Sequence, residues 1–265
     1  MRYLSAVGDG LVVAKRNLIK IKRVPDLLVF TTLQPIMFVL LFVFVFGGAI
    51  KVQNSNYKEF LIAGIFAQTV IFGSVITGAG LAEDIQKGII DRFRSLPMSQ
   101  TAVLFGRTLS DVVNNIIVVV VMSLTGLAVG WRIHSSFPEA LGGYLILLVF
   151  AYSFSWVMAM MGLLAPGPEV VNNAAFIVIF PLTFVANTFV PIVTLPEPLR
   201  TFAEWNPVSS VTQAARELFG NIPPNTPAPG WALQHPVTYT LIWTVAILVV
   251  FVPLTTRQFR RSVSR

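Results

Sequence analysis

Six stretches of this chain carry no Asp, Glu, Lys or Arg: residues 27–50, 60–82, 112–131, 140–165, 170–193 and 237–256. Each is 20 to 26 residues long, and a helix needs about 20 residues to cross roughly 30 Å of hydrocarbon. In lipid, only helices and closed barrels satisfy their backbone polar groups internally. The stretches show no two-residue alternation of polar and apolar side chains, so helices are predicted. The first is longer than the apolar core of a secretory leader and lacks a small-residue cleavage pattern after it, so it is expected to stay in the mature protein. Composition agrees: 12% of residues are charged, against about 25% in soluble domains. With no cysteine, disulfides, thiolate nucleophiles and Cys-based metal sites are excluded.

The formal charge of +7 raises the question of nucleic acid, and its distribution answers it. Fourteen of the basic residues fall in the N-terminal segment, the second connection and the C-terminal tail, and five fall in the alternate connections. Basic residues concentrate on the cytoplasmic side of membrane proteins. Both termini and residues 81–100 are therefore expected in the cytoplasm, and the basic excess reads as a topology signal, with no nucleic-acid partner.

Ahead of the first stretch, Leu4, Val7, Leu11, Ala14, Leu18 and Ile21 recur at steps of three and four, one helical face. Lys15, Arg16, Lys20, Lys22 and Arg23 occupy much of the remainder. A basic amphipathic helix resting on anionic lipid fits this pattern, as does a soluble helix packed on a partner. Polar, uncharged residues mark the apolar stretches, among them Gln34, Gln68, Asn173 and Asn187. They are candidates for lining a translocation path; amides that bond helix to helix are the alternative. Ion-coupled transporters place carboxylates or histidines within their spans, and these stretches hold none, which argues against a proton-driven antiporter. In the long connection 194–236, Asn206 is a plausible N-cap, Pro207 a first helical residue and Gly220 a stop. A second short helix is expected around Glu197–Trp205.

Residues 81–100, "LAEDIQKGIIDRFRSLPMSQ", hold six charges. Ile85, Ile89, Phe93 and Leu96 line one face at helical spacing, while Asp84, Lys87, Asp91, Arg92 and Arg94 point elsewhere. Lys87 and Asp91 are four apart and can pair, Gly88 is costly inside a helix, and Pro97 stops it. The spacing predicts a cytoplasmic helix of about three turns. Docking into a groove on another protein and resting on the membrane surface both suit it.

The segment "EDIQKGIIDRFRSLPMSQTAVLFGR" resembles the first cytoplasmic loop of type 2 ABC exporter permeases, in particular their daunorubicin-resistance-type branch. "TLQPIMFVLLFVFVFGG" and "PLTFVANTFVPIVTLPEPLRTFAEWNPVSSVTQAARELFG" resemble the same branch, so the likeness covers essentially the whole chain. It implies an all-α integral membrane fold in a single permease domain, 1–265. The parts would be an interfacial helix over 1–26, spans one to five within 27–193, a coupling helix at 84–96, an outer loop 194–236 with short re-entrant helices, span six at 237–256 and a cytoplasmic tail at 257–265. It further implies two copies of an ABC ATPase subunit, a second permease copy forming a dimer, contact with membrane lipids, and a multi-pass location in the bacterial inner membrane. By the same likeness, Glu83, Asp84, Lys87, Gly88, Asp91, Arg92, Phe93, Arg94 and Pro97 carry ATPase coupling.

The chain has no GxxxxGK[ST] phosphate loop. No cofactor, metal or catalytic residue is therefore assigned to it, and ATP and Mg are expected on the partner. The predicted function is export of an amphiphilic drug, lipid or glycolipid. Export of a polysaccharide or lipid-linked glycan is the alternative within the family. A passive channel would have no use for the cytoplasmic helix. An intramembrane lipid-modifying enzyme would need clustered acids, histidines or a serine–base pair, and Glu197, Glu204 and His235 match no such motif.

Overall fold

The computed structural model describes residues 12, 14–15, 19, 25–47, 50, 56–89, 100–222 and 228–263, and every regular element among them is helical. In chain order these are α1 (Pro25–Leu41), continued by a π-helical turn (Phe42–Phe46), α2 (Tyr57–Gly73), α3 (Val75–Gln86), α4 (Gln100–Ala128), α5 (Phe137–Leu164) and α6 (Pro168–Phe184). A 3-10 turn (Ile192–Thr194) then leads into α7 (Glu197–Trp205), α8 (Pro207–Leu218), α9 (Trp231–Gln234) and α10 (Pro236–Val263). Of the expected N-terminal helix only Val12, Ala14, Lys15 and Ile19 are described, and they are helical.

Four stretches are long and apolar enough to cross a membrane: Tyr57–Gln86, Ala102–Ala128, Phe137–Leu164 and Pro236–Arg261. Thr32–Phe46 and α6 are shorter apolar helices. Six similar spans were expected; the described residues give four long helices and two short ones. The fifth apolar stretch, 170–193, is helical only as far as Phe184. Beyond that point a tertiary contact takes over: Asn206 Nδ2 donates to the carbonyls of Leu182, at 2.7 Å, and Val185, at 2.8 Å. Helix-end carbonyls that would otherwise lack donors are thereby satisfied from outside the helix.

α5 is the hub; α10, α3, α8, α4 and α2 all pack on it. Its small buried residues Ala151, Ser155, Ala159 and Gly162 allow this. A Cβ on Gly162 would lie 2.3 Å from the Gly78 carbonyl oxygen, so α3 and α5 touch backbone to backbone. Such small-residue contacts let helices associate in lipid, where burial from water gives no drive. Between α2 and α3, buried Ser74 bonds back to the Ile71 carbonyl at 2.5 Å, a competing bond of the kind that bends helices. By contrast α10 turns Leu241, Ile242, Val245 and Val249 outward, an apolar face suited to lipid.

The short helices α7 to α9 cap one end. Asn206 accepts from the Val208 N–H at 2.9 Å and Pro207 begins α8. Gly220, at φ +70°, follows its end, so the helix read from the sequence is the one formed. Val208, Val211 and Ala215 are fully buried, seating α8 on α2, α5 and α10. Phe219 packs with Trp131 (5.5 Å between centroids), Tyr144 (4.9 Å) and Phe66 (6.0 Å). Arg216 is buried as well, donating from Nε to the Phe60 carbonyl at 2.8 Å and lying 3.5 Å over the Phe60 ring. The sequence places this arginine among outer-connection charges; the fold makes it a core residue.

At the opposite end the expected helix boundary moves. Residues 84–86 belong to α3, the continuation of the second span, and not to a separate helix starting at 84. Gly88 has φ +64° and donates to the Ile85 carbonyl. It terminates α3 in the left-handed conformation that favours glycine, whereas a helix-interior glycine was expected. Lys87 pairs with Glu83, one turn back along α3. The expected partner Asp91 lies outside the described residues, as do Arg92, Phe93, Arg94 and Pro97.

Candidate functional site

A groove of about 760 Å³ runs between α1, α2, α3, α4 and α6. Each helix contributes one stripe. From α4 come Arg107, Ser110, Asp111, Asn114 and Val118, which share one helical face. From α6 come Pro168, Asn172, Phe176, Phe180 and Phe184, each four apart. The same spacing that puts residues on one helical face makes each stripe change character along its length. On α4 it passes from charge through amide to valine, and on α6 from amide to phenylalanine. The paired segment α2–α3 runs oppositely in sequence, from Ile65 to Glu83 and Lys87, so its charged end meets theirs.

The aromatic end is a stacked row. Ring centroids of Phe176 and Phe180 are 4.9 Å apart, and those of Phe180 and Phe184 are 4.1 Å apart. Phe184 continues to Phe189 at 4.8 Å, and Phe189 to Phe42 of the π-turn at 4.5 Å. Stacked rings of this kind present flat apolar surface with a negative face.

At the charged end, Arg107 Nη1 donates to Asp84 Oδ2 at 3.0 Å, and both residues are buried. Lys87 pairs with Glu83 at the more exposed rim, and this bond holds the Lys87 ammonium above its usual pKa. Asp111 is 5% exposed, and its Oδ2 has no hydrogen-bond partner. The spans therefore do hold ionisable groups. The charge-free stretches understate the helices, because nothing between residues 100 and 112 breaks α4, which carries Arg107 and Asp111 into the body. The argument against ion coupling from absent charges falls with that correction.

Of the path candidates, Gln34 and Gln68 line the groove. Asn173 does not: it is exposed, and its neighbour Asn172 shares the stripe with Phe176, Phe180 and Phe184. Asn187 is buried in the cap, its amide donating to Gln213 Oε1 at 2.9 Å and its backbone N–H to Ser209 Oγ at 2.9 Å; it serves as a brace there. Among the coupling candidates, Glu83 and Lys87 line the groove's charged end, Asp84 is held by Arg107 just behind it, and Gly88 ends the helix they share. The groove residue that sequence reasoning missed is Asp111. The signal was available: Arg107, Ser110, Asp111 and Asn114 already share one helical face with Val118. No three His, Asp or Glu residues cluster as a metal site among the described residues.

A helical body with several membrane-length spans and a lateral groove graded from charge to aromatic rings is the kind of scaffold a membrane permease uses. The chain belongs to the ABC-2 type transporter family, whose pattern matches residues 10–219. It is 35% identical, over 97% of this chain and 88% of the relative, to the daunorubicin resistance ABC transporter permease protein DrrB1 of Streptomyces coeruleorubidus. It is 25% identical to a putative transport permease, ycf38, of Cyanophora paradoxa, over 81% of this chain and 75% of the relative. The probable doxorubicin resistance ABC transporter permease protein DrrC of Mycobacterium tuberculosis is 23% identical over 86% of this chain and 80% of the relative. Relatives so named are membrane components of transporters, not enzymes, and membership implies an ABC ATPase partner.

Proposed function

We propose that this chain is the membrane subunit of an ATP-driven exporter of an amphiphilic drug, lipid or glycolipid. It pairs with a second copy of itself, is driven by two ATPase subunits, and spans the bacterial inner membrane six times with both termini in the cytoplasm. α1 and α6 supply the two spans that fall short in apolar helical length. The observation that carries the reading is the grading of the groove, which matches a molecule with a polar head and an apolar body, in a chain of this family.

The mechanism is mechanical. Glu83 and Lys87 line the groove and stand at the start of the stretch that resembles the coupling segment. Motion imposed on that stretch by ATPase closure moves α3, which begins after Ser74, as one rigid element. Gly78 transmits the movement to α5 through its backbone contact with Gly162. Nucleotide must bind the two arrangements with different affinity for the cycle to turn.

The test is reconstitution. Co-expression with the partner ATPase and capture through a tag on this chain should yield a complex that hydrolyses ATP and moves a fluorescent amphiphile across vesicles. Asp91→Ala or Arg92→Ala should weaken assembly or separate ATP turnover from transport. A chain that captures no ATPase sinks the exporter reading; normal transport by both variants removes the docking role from that stretch.

A further inference from the structure

We propose that Arg107 is a moving pin between α3 and α4, exchanging Asp84 for Asp111 as its partner during the transport cycle. The proposal rests on the exporter reading above and names the positioning residue through which α3 holds α4.

Arg107 sits in a slot on α3. A Cβ on Gly80 would lie 1.2 Å from Arg107 Nη2, so a side chain at that position would displace the guanidinium from between the helices. There Nη1 donates to Asp84 Oδ2 at 3.0 Å, Nη2 reaches the Ile76 carbonyl at 3.5 Å, and Arg107 and Asp84 are both buried. Ile76, Gly80 and Asp84 follow one another at steps of four along α3. Slot and partner therefore lie on one face and move together with that helix. A buried charge that loses its partner is strongly destabilising. A pin with only Asp84 to hold would resist any displacement of α3 against α4.

Asp111 removes that obstacle. It stands four residues beyond Arg107 on α4, the spacing at which side chains on one helix meet. It is buried, and its Oδ2 has no hydrogen-bond partner. Because this second acid belongs to the arginine's own helix, it stays within reach when α3 moves away. One guanidinium between two acids on two helices has two discrete positions, a bistable element of the kind that turns a small shift into a change of state. Bonded to Asp84, the pin ties α3 to α4; bonded to Asp111, it releases α3.

The test uses the full chain assembled with its ATPase in vesicles, reading ATP hydrolysis and export of a fluorescent amphiphile together. Asp111→Asn keeps the Asp84 pair and removes the alternative, so export per ATP hydrolysed should fall about fivefold or more, with assembly and melting temperature unchanged. Asp111→Glu, which keeps the charge, should retain part of the export. Asp84→Asn leaves Arg107 on Asp111, and Gly80→Ala fills the slot; in both, ATP hydrolysis should continue while export falls. The chain has no cysteine, so cysteines placed at the exposed Gln86 and the half-buried Leu109 accept one spin label on each helix. The distance between labels should change on ATP binding in the otherwise wild-type chain and stay fixed in Asp111→Asn. An unmoved distance in the wild-type background overturns the proposal even where a variant fails to assemble. Normal export per ATP in Asp111→Asn also overturns it and leaves the exporter reading intact. A wild-type chain that captures no ATPase overturns the exporter reading, and the exchange with it.

Discussion

The cap and the groove are built from similar residues and treat them differently. In the cap, buried amides are bonded: Asn187 to Gln213, Asn206 to two carbonyls and the Val208 N–H, and Asn221 to the Trp131 indole N–H at 2.8 Å and the Arg132 carbonyl at 2.8 Å. Even Arg216, with no acid beside it, places two of its three nitrogens on carbonyls. Around the groove, Asp111 Oδ2, Asn115 Oδ1 and Thr77 Oγ1 are buried without partners; in the cap such atoms are hydroxyls and one guanidinium nitrogen, Thr188 Oγ1, Thr212 Oγ1 and Arg216 Nη1, while its amides are bonded. A fully satisfied polar network rigidifies the part that holds it. On the bonded amides of the cap, set against the ionisable groups and aromatic rings that line the groove, rests the expectation that the cap is the fixed end of the molecule and the groove its working part.

Changes in the cap should therefore reduce stability, and changes in the groove should alter binding while leaving stability nearly untouched. The largest effect is expected from Arg216→Ala, which removes two carbonyl partners and opens a void beside Phe60, at about 3 kcal/mol. Thermal unfolding followed by size-exclusion fluorescence would show it, and an unchanged midpoint would dissolve the contrast. Asn206→Ala removes an N-cap and two carbonyl bonds and should cost about 2 kcal/mol. Trp131→Phe keeps the aromatic packing but strips the Asn221 side-chain oxygen of its donor, for about 1 kcal/mol. Phe180→Ala, at an exposed position in the groove, should change stability by only about 0.5 kcal/mol or less, yet weaken binding of a flat aromatic probe. Lys87→Ala should leave the melting temperature unmoved, because its pair with Glu83 is exposed and screened. A large loss there would mean that the charged rim is structural.

Much of this fold is legible in the residues. Asn206, Pro207 and Gly220 set the limits of α8 through local chemistry that needs no distant partner. The six apolar stretches locate the long helices. Less legible is where those helices stop. Gly88 reads as an interior glycine until its backbone places it at φ +64°, and the fifth stretch reads as helical to 193 until Asn206 intervenes near 185. Asn173 and Asn172 look equivalent as candidates, being adjacent amides on one helix, and only one of them faces the groove.

The residues alone determined that the chain is helical and meets lipid, which side gathers its basic charge, and that it has no phosphate loop of its own. These follow from hydropathy, side-chain spacing and capping, all of which act over a turn or two. Tertiary structure decided which polar groups are buried together, that Arg216 is core and that Asp111 lines the groove with Oδ2 buried and without a hydrogen-bond partner. Helical periodicity fixes the angle between two side chains on one helix, but not how that helix is rotated against its neighbours. That rotation is set by close contacts such as Gly78 with Gly162, between residues far apart in the chain.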